Sequence, residues 1–162
     1  RRESKKIYDI PKNAPFEDEG IVISGVSSRL AARYMPHGCY WDSNKAMGFI
    51  IRDKDFSIEY ILGLLNSSLY NYLAKGIINN TNSIQLTGIH SLPIILPENK
   101  FKIKVEELVK DIIQELKKDS SHDYSKEQRE LDRIIYNFHA EKFNFPSSLK
   151  RKLDKKYSIY AN

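Results

Sequence analysis

Hydrophobic and polar positions follow two different patterns along the chain, and the first half has the shorter period. The apolar run IVIS at 21–24 is bounded by glycines and predicts a buried strand. The runs CYW at 39–41 and MGFII at 47–51 predict two further strands. Residues 27–36 fit either a strand or a short helix, ended by Pro36. The first part of the chain is therefore predicted to be rich in strands.

The pattern changes to a helical period over residues 58–75, which are predicted to form one helix. Ser57 is placed to cap its start and Gly76 to follow its end. A loop rich in Asn, Ser and Thr is predicted over 76–88. Two prolines, Pro93 and Pro97, then bracket an extended piece. The apolar face of the helix comprises Ile58, Ile61, Leu62, Leu65, Leu69, Tyr72 and Leu73.

From Lys104 onward the apolar spacing predicts two amphipathic helices, the second starting near Ser125 and stopped by Pro146. A short polar link joins them, which indicates an antiparallel hairpin. The tail that follows Pro146 is basic and predicted to be exposed. The predicted fold is α+β: a short, mostly antiparallel sheet with a packed helix, followed by a C-terminal helical hairpin. We expect an α+β module over 1–100, and the hairpin with its basic tail over 101–162.

Composition narrows the class of protein without naming a function. A chain of 162 residues fits one domain, or one domain with an appendage. No apolar run approaches the ~20 residues that span a bilayer, and the first ten residues have no apolar region like that of a signal peptide, so we expect none there. We expect no membrane partner and a cytoplasmic location, with Cys39 a free thiol in a reducing compartment. Without an initiator Met the chain is expected to be a piece of a longer protein. The net charge of +5 permits a polyanionic partner without requiring one.

The motifs of common catalytic sites are absent from the sequence. It has no glycine-rich phosphate loop, no HExxH, no paired cysteines and no GxSxG. Asp53 and Asp55 could hold a metal ion for a nuclease, but a charged turn before a helix explains them as well. His139 is predicted to lie on a helix surface or at its boundary. We assign no catalytic or metal-binding residue.

Groups suited to DNA contact occur in the predicted loops. Arginine can make two hydrogen bonds to guanine, and Asn or Gln can do the same with adenine, while Lys, Arg and Ser can reach phosphates. Each such residue could equally be ordinary surface. The candidate DNA-binding residues are Ser27, Ser28, Arg29, Arg33, Lys45, Arg52, Lys75, Asn80, Asn82 and Gln85.

The order of five segments carries a family resemblance. They are the G-x-S-x-R-L stretch at 25–30, GCY at 38–40, the YILGLLNSSL helix at 60–69, LPI at 92–94 and LDRIIY at 131–136. In this order they resemble the TaqI-like C-terminal specificity domain over roughly residues 20–143. That domain follows the catalytic domain in N6-adenine DNA methyltransferases and in type IIG restriction–modification enzymes.

The resemblance implies a partner and a missing activity. Double-stranded DNA would be bound, and the catalytic methyltransferase domain of the same parent chain would be the protein partner. The S-adenosylmethionine loop and the Asn/Asp-Pro-Pro-Tyr/Phe tetrapeptide of such enzymes do not occur in this sequence. The chain alone is therefore expected to be no enzyme and to hold no cofactor. S-adenosylmethionine is expected in the missing catalytic domain.

Two other functional classes remain open on the sequence. The chain could be a protein–protein interaction module that docks a partner through its basic helical tail. It could also be a small nuclease, provided that a third carboxylate lies near Asp53 and Asp55. The first alternative gains if the Arg and Lys side chains of residues 24–90 are scattered, and DNA binding gains if they line one face.

Overall fold

The computed structural model describes residues 17–41, 45–77, 84 and 86–157, and it has the α+β architecture predicted from the sequence. Three antiparallel strands form a sheet in the order β2-β1-β3. The strands are β1 (Gly20–Ser24), β2 (Ala32–Met35) and β3 (Ala46–Phe49). The helices are α1 (Ile58–Asn66), α2 (Ser68–Ile77), α3 (Leu86–His90), α4 (Asn99–Lys118), α5 (Ser125–Phe143) and α6 (Ser147–Tyr157).

The two faces of the sheet differ in what covers them. Ile21 and Ile23 of the central strand are fully buried on the inner face. On the outer face Val22 lies between Arg33 and Gly48 of the neighbouring strands. The indole of Trp41 covers Gly48 so closely that a Cβ there would lie 2.4 Å from the ring. The strand predicted over 39–41 is therefore wrong, because this segment lies outside the sheet and Trp41 packs on the sheet's outer face.

The predicted helix over 58–75 is two helices that meet at an extended residue, Ser67. The Ser67 hydroxyl donates to the carbonyl of Leu64 at 2.7 Å and accepts from the backbone of Tyr70 at 3.3 Å. Such local bonds compete with regular helical bonding and explain the break. The predicted cap is confirmed, since the Ser57 hydroxyl accepts from the amide of Tyr60 at 3.1 Å. Gly76 lies inside α2 rather than after it, so that prediction is wrong.

Residues 93–97, predicted to be extended, link α3 to α4 without regular secondary structure. Two buried tyrosines fasten it to the core. The Tyr70 hydroxyl donates to the carbonyl of Pro93 at 2.7 Å, and the Tyr60 hydroxyl donates to that of Ile95 at 3.2 Å. Burial raises the pKa of both tyrosines. Within 76–88 the sequence predicted only loop, but α3 begins at Leu86.

Of the C-terminal helices, α4 packs on α1, while α5 and α6 pack on α2. Helix α4 approaches α1 closely at Gly63: a Cβ at this position would lie 2.7 Å from Cγ1 of Val105. The absence of a side chain at Gly63 therefore permits the close contact. Helices α4 and α5 form the predicted hairpin, and α5 ends in a left-handed Asn144 (φ 49°). The basic tail forms α6, whose Lys and Arg residues are exposed as predicted, although the helix buries Leu153 completely.

One hydrophobic core runs from the sheet to α6. It includes Ile21 of β1, Leu64 of α1, Val105 of α4, Ile135 of α5 and Leu153 of α6. The division at residue 100 stays a prediction, and the core continues across it. Among the helices in the described part of the chain, none combines the length and apolar content that crossing a bilayer requires.

Candidate nucleic-acid interface

Three chain segments meet where β1 ends. The amide of Gly25 donates to the carbonyl of Lys45 at 2.9 Å, and its carbonyl accepts from the amide of Ile84 at 2.9 Å. Lys45 immediately precedes β3, and the loop 25–31 joins β1 to β2. We call this end of the sheet, formed by residues 25–31, Lys45 and Ile84, the loop edge.

Two asparagines of the α1–α2 pair hold the far side of the 25–31 loop. The Oδ1 atom of Asn71, which is buried, accepts from the amide of Leu30 at 2.8 Å. The Nδ2 atom of Asn71 donates to the carbonyls of Leu65 at 3.2 Å and Ser67 at 2.9 Å. Asn66 pairs with the backbone of Ala32 in both directions, at 3.1 Å and 2.9 Å. The loop is thus fixed at both ends by hydrogen bonds from outside it.

Arg29 is exposed on this fixed loop. Its own amide donates to the hydroxyl of Ser27 at 3.3 Å, and the next residue, Leu30, is buried and held by Asn71. The backbone on both sides of Arg29 is therefore restrained while its guanidinium faces solvent. A planar fork of donors on a preorganised backbone suits bidentate hydrogen bonding to a base edge or a phosphate.

The other candidate residues fall into three places. Lys45 and Ser28 are exposed at the loop edge itself. Arg33 is exposed on β2, opposite Val22 on the outer face of the sheet. Lys75 is half-buried in the last turn of α2, one turn beyond Asn71.

Arg52 lies at the opposite end of the sheet. Strand β3 starts beside Ser24 at the loop edge and ends at Phe49, which pairs with Ile21, before the chain reaches Arg52. The predictions for Asn80, Asn82 and Gln85 fall outside the described residues. The Arg and Lys residues of 24–90 thus neither line a single face nor scatter evenly: Arg29 and Lys45 share the loop edge, with Arg33 on the adjoining strand.

A groove of about 680 Å³ opens next to the loop edge, between β2, α1 and the α4–α5 hairpin. Its floor includes the half-buried Ile112 and Leu116, and its lining includes the exposed cations Arg29, Arg33 and Lys117. The Lys117 ammonium lies 5.3 Å from the ring centroid of Tyr34. The Tyr34 hydroxyl donates to Glu19 at 2.7 Å, and this bond to a carboxylate raises the pKa of Tyr34.

A second set of buried polar contacts ties α2 to α5, away from the loop edge. The Asp132 carboxylate accepts from the amide of Ser68 at 2.6 Å and from its hydroxyl at 2.7 Å. It therefore caps the first turn of α2 from another helix, and a negative charge there suits the helix dipole. Burial raises the pKa of Asp132 in spite of these hydrogen bonds.

His139 is buried in the same region, with 3% of its surface exposed, so its predicted place on a helix surface is wrong. Its Nδ1 atom donates to the carbonyl of Ile135 at 2.7 Å, and Nε2 lies 3.2 Å from the hydroxyl of Tyr70. Burial lowers the pKa of His139. The neutral ring therefore serves as a core contact between α5 and α2.

The carboxylates that a nuclease would need are not assembled within the described residues. Asp53 accepts from the amide of Asp55 at 3.0 Å, which is the charged turn that the sequence allowed. No group of three His, Cys, Asp or Glu side chains suited to a metal ion occurs across the described ranges.

Sequence reasoning named the exposed residues of this region and missed those that position them. Asn66 and Asn71 were passed over because they lie within a strongly apolar segment read for its leucines. A polar amide inside such a segment is itself a signal, since a buried amide needs hydrogen-bond partners.

Residues 1–94 match the family model of the TaqI-like C-terminal specificity domain. The predicted resemblance is confirmed, and the matched span ends in the segment that links α3 to α4. Helices α4, α5 and α6 lie beyond it, although the resemblance predicted from the motifs covered roughly residues 20–143. A search of curated proteins gave no match.

Proposed function

The chain belongs to the family of TaqI-like C-terminal specificity domains, and on this premise we propose that it recognises a DNA sequence for a restriction–modification enzyme. In its finer form, the proposal makes the chain the target-recognition part of a cytoplasmic N6-adenine DNA methyltransferase or type IIG enzyme. Methyl transfer and S-adenosylmethionine binding would belong to the catalytic domain of the same parent protein. The chain alone would transfer no methyl group.

The exposed arginine on the fixed loop is the observation that supports this proposal most directly. Base recognition requires a side chain that can reach a groove and a backbone that holds it in one register. Arg29 meets both requirements, because Ser27 and Asn71 restrain the loop around it. An arginine in this position favours guanine, whose O6 and N7 atoms match the guanidinium fork.

The proposed mechanism divides the contacts between bases and phosphates. Arg29 enters a groove of the duplex from the loop edge. Lys45, Ser28 and Lys75 reach phosphates and set the register without reading sequence. Once the domain is seated, the target adenine of the bound site is held where the catalytic domain can flip it out of the stack. The specificity domain thus selects the site, and the catalytic domain performs the chemistry.

Substitution of Arg29 tests the base-reading role. We expect Arg29→Ala in the intact enzyme to lower discrimination at one base pair by about 5- to 150-fold, the range for a lost bidentate contact. Arg29→Lys should retain phosphate attraction and lose most of the same discrimination. The measurement is competition of a cognate duplex against duplexes that each carry one changed base pair, at fixed salt.

Arg52→Ala is the matched control, because it removes the same charge at the opposite end of the sheet. Even if Arg52 contacts a phosphate, its loss weakens all duplexes alike and leaves the preference unchanged. Sequence preference that survives Arg29→Ala would remove Arg29 from the reading residues. DNA binding that is absent, or insensitive to salt, in the unsubstituted protein would contradict the proposed function as a whole.

A further inference from the structure

Helix α6 carries most of the net charge of the chain. Its eleven residues hold five Lys or Arg side chains against one acid, Asp154, and so a net charge of +4. The whole chain has a net charge of +5. Helix α5, by contrast, has 19 residues in which four cations balance four acids. Among the described helices, α6 thus has the largest excess of cations over acids.

Three cations of α6 are exposed and unpaired within the described residues: Arg151, Lys152 and Lys155. Arg151 and Lys155 are four residues apart, and Lys152 and Lys155 three apart, so both pairs are neighbours on the helix surface. Like charges at these spacings destabilise a helix by about 0.2–0.5 kcal/mol for each pair. A bound polyanion would offset this repulsion, because its negative charges attract all three cations.

The apolar residues of α6 are already used inside the protein. Leu153 is fully buried, and Leu149 and Tyr157 pack against the same core. A helix that lies on a membrane must instead offer its apolar face to the lipid. The surface left to α6 is cationic and polar, which suits phosphates in water rather than a bilayer.

The position of α6 connects it to the loop edge through one helix. Helix α6 packs on α2. The same α2 supplies Asn71, which holds the 25–31 loop at Leu30, and carries Lys75 in its last turn. The loop edge and the cationic helix are thus both attached to α2.

We propose that α6 binds the phosphate backbone of duplex DNA as a sequence-independent clamp, beyond the 1–94 span of the specificity-domain family. This inference rests on the proposed function. It adds a second set of phosphate contacts to those at the loop edge: Arg29 selects the sequence, and Arg151, Lys152 and Lys155 of α6 supply further affinity that does not depend on sequence.

The test is the salt dependence of binding by the 162-residue chain to a duplex of about 20 base pairs, measured between about 50 and 200 mM salt. Each phosphate contact contributes about 0.9 to the slope of log K against log salt. We expect the triple variant R151Q/K152Q/K155Q to flatten the slope by up to about 2.7, and by the same amount for cognate and unrelated duplexes.

The matched control is K100Q/K104Q/K110Q, which removes three exposed lysines from α4 and lowers the net charge equally. It should leave the slope near that of the unsubstituted chain. An equal loss of slope in both triple variants would show that only net charge matters and would overturn the clamp. An unchanged slope in the α6 variant would also overturn it.

Two further measurements distinguish DNA binding by α6 from binding at α4 and from binding to a lipid surface. A photocrosslinker attached to Lys152→Cys, in a Cys39→Ser background, should label the duplex, and labelling from Lys104→Cys alone would contradict the proposal. If the chain binds vesicles of phosphatidylserine and phosphatidylcholine but not the duplex, the partner of α6 is a lipid surface and the proposal is overturned. Failure of the proposed function would look different: the unsubstituted protein would show no sequence preference, while the salt slope would still depend on the three cations of α6.

Discussion

Asn71 holds the loop that presents Arg29, so its removal should affect both stability and recognition. Asn71→Ala removes three hydrogen bonds, to Leu30, Leu65 and Ser67. Each is worth about 1 kcal/mol net, and the groups left behind are buried. We expect a loss of about 2–3 kcal/mol in the free energy of unfolding, measured in urea. In a chain of this size that corresponds to a fall in Tm of roughly 4–12 °C.

The functional effect should exceed what instability alone causes. Without Asn71 the amide of Leu30 loses its acceptor, and the backbone next to Arg29 is free to move. We expect Asn71→Ala to lose much of the base discrimination that Arg29→Ala loses, although Arg29 is still present, when both are assayed well below the midpoint of unfolding. The reason is that a side chain held loosely does not reproduce the geometry of a bidentate contact.

Ser68→Ala is the matched control for this prediction. Ser68 is also buried and also lies in α2, but its hydroxyl bonds Asp132 rather than the loop. It should lower stability and leave base discrimination intact. The reasoning is refuted if Asn71→Ala costs less than about 0.5 kcal/mol, or if both variants reduce discrimination equally.

Three further predictions concern the helices that support α1 and α2. Asp132→Ala should lower the free energy of unfolding in urea by about 3 kcal/mol, since the amide and the hydroxyl of Ser68 both lose a charged acceptor. A loss below about 1 kcal/mol would contradict the capping role of Asp132. Because burial lowers the pKa of His139, the unfolded chain takes up a proton at this residue more readily than the folded protein does. The stability that depends on neutral His139 is therefore complete above about pH 6.5 and falls as the pH drops below it. His139→Gln should flatten this pH dependence of the free energy of unfolding. Gly63→Ala should destabilise, because its Cβ would lie 2.7 Å from Val105 and overpacking costs about 1–3 kcal/mol against about 1 kcal/mol gained in helix propensity. Adding Val105→Ala should relieve that clash, and strict additivity of the two changes would argue against it.

The sequence predicted those parts of the fold whose cause is local. The β-branched run at 21–24 formed the central strand, and Ser57 capped α1 as its hydroxyl and position required. The two apolar stripes after Lys104 formed helices α4 and α5 of the hairpin, because each repeats at the helical period. These elements follow from periodicity and capping, which a single sequence displays.

The errors share a different cause, namely contacts between residues distant in sequence. The aromatic run at 39–41 has the composition of a strand, but Trp41 covers Gly48 from outside the sheet. The helix over 58–75 breaks at Ser67, and Asp132, 64 residues after Ser68, stabilises the new start. Leu153 could be recognised as a core residue only once the surface that it covers was known.

The candidate site was predictable in kind and not in arrangement. An Arg after a strand is visible in the sequence, so Arg29 could be named. The separation of Arg52 from Arg29 depends on the strand order and register, which no local pattern encodes. The roles of Asn66 and Asn71 required knowing which backbone groups would otherwise be left unpaired.

The close crossing of α1 and α4 at Gly63 limits how specificity could be exchanged between enzymes. A graft of residues 1–94 alone would leave behind Val105 and Val109, which cover the face of α1 at Gly63, and would expose that apolar surface to water. A transplanted module would therefore have to include the hairpin, or a recipient would need an equivalent helix pair. Target preference is better changed by replacing the 25–31 loop alone, because Asn71, Lys45 and Ile84, which hold it by hydrogen bonds, then stay in place.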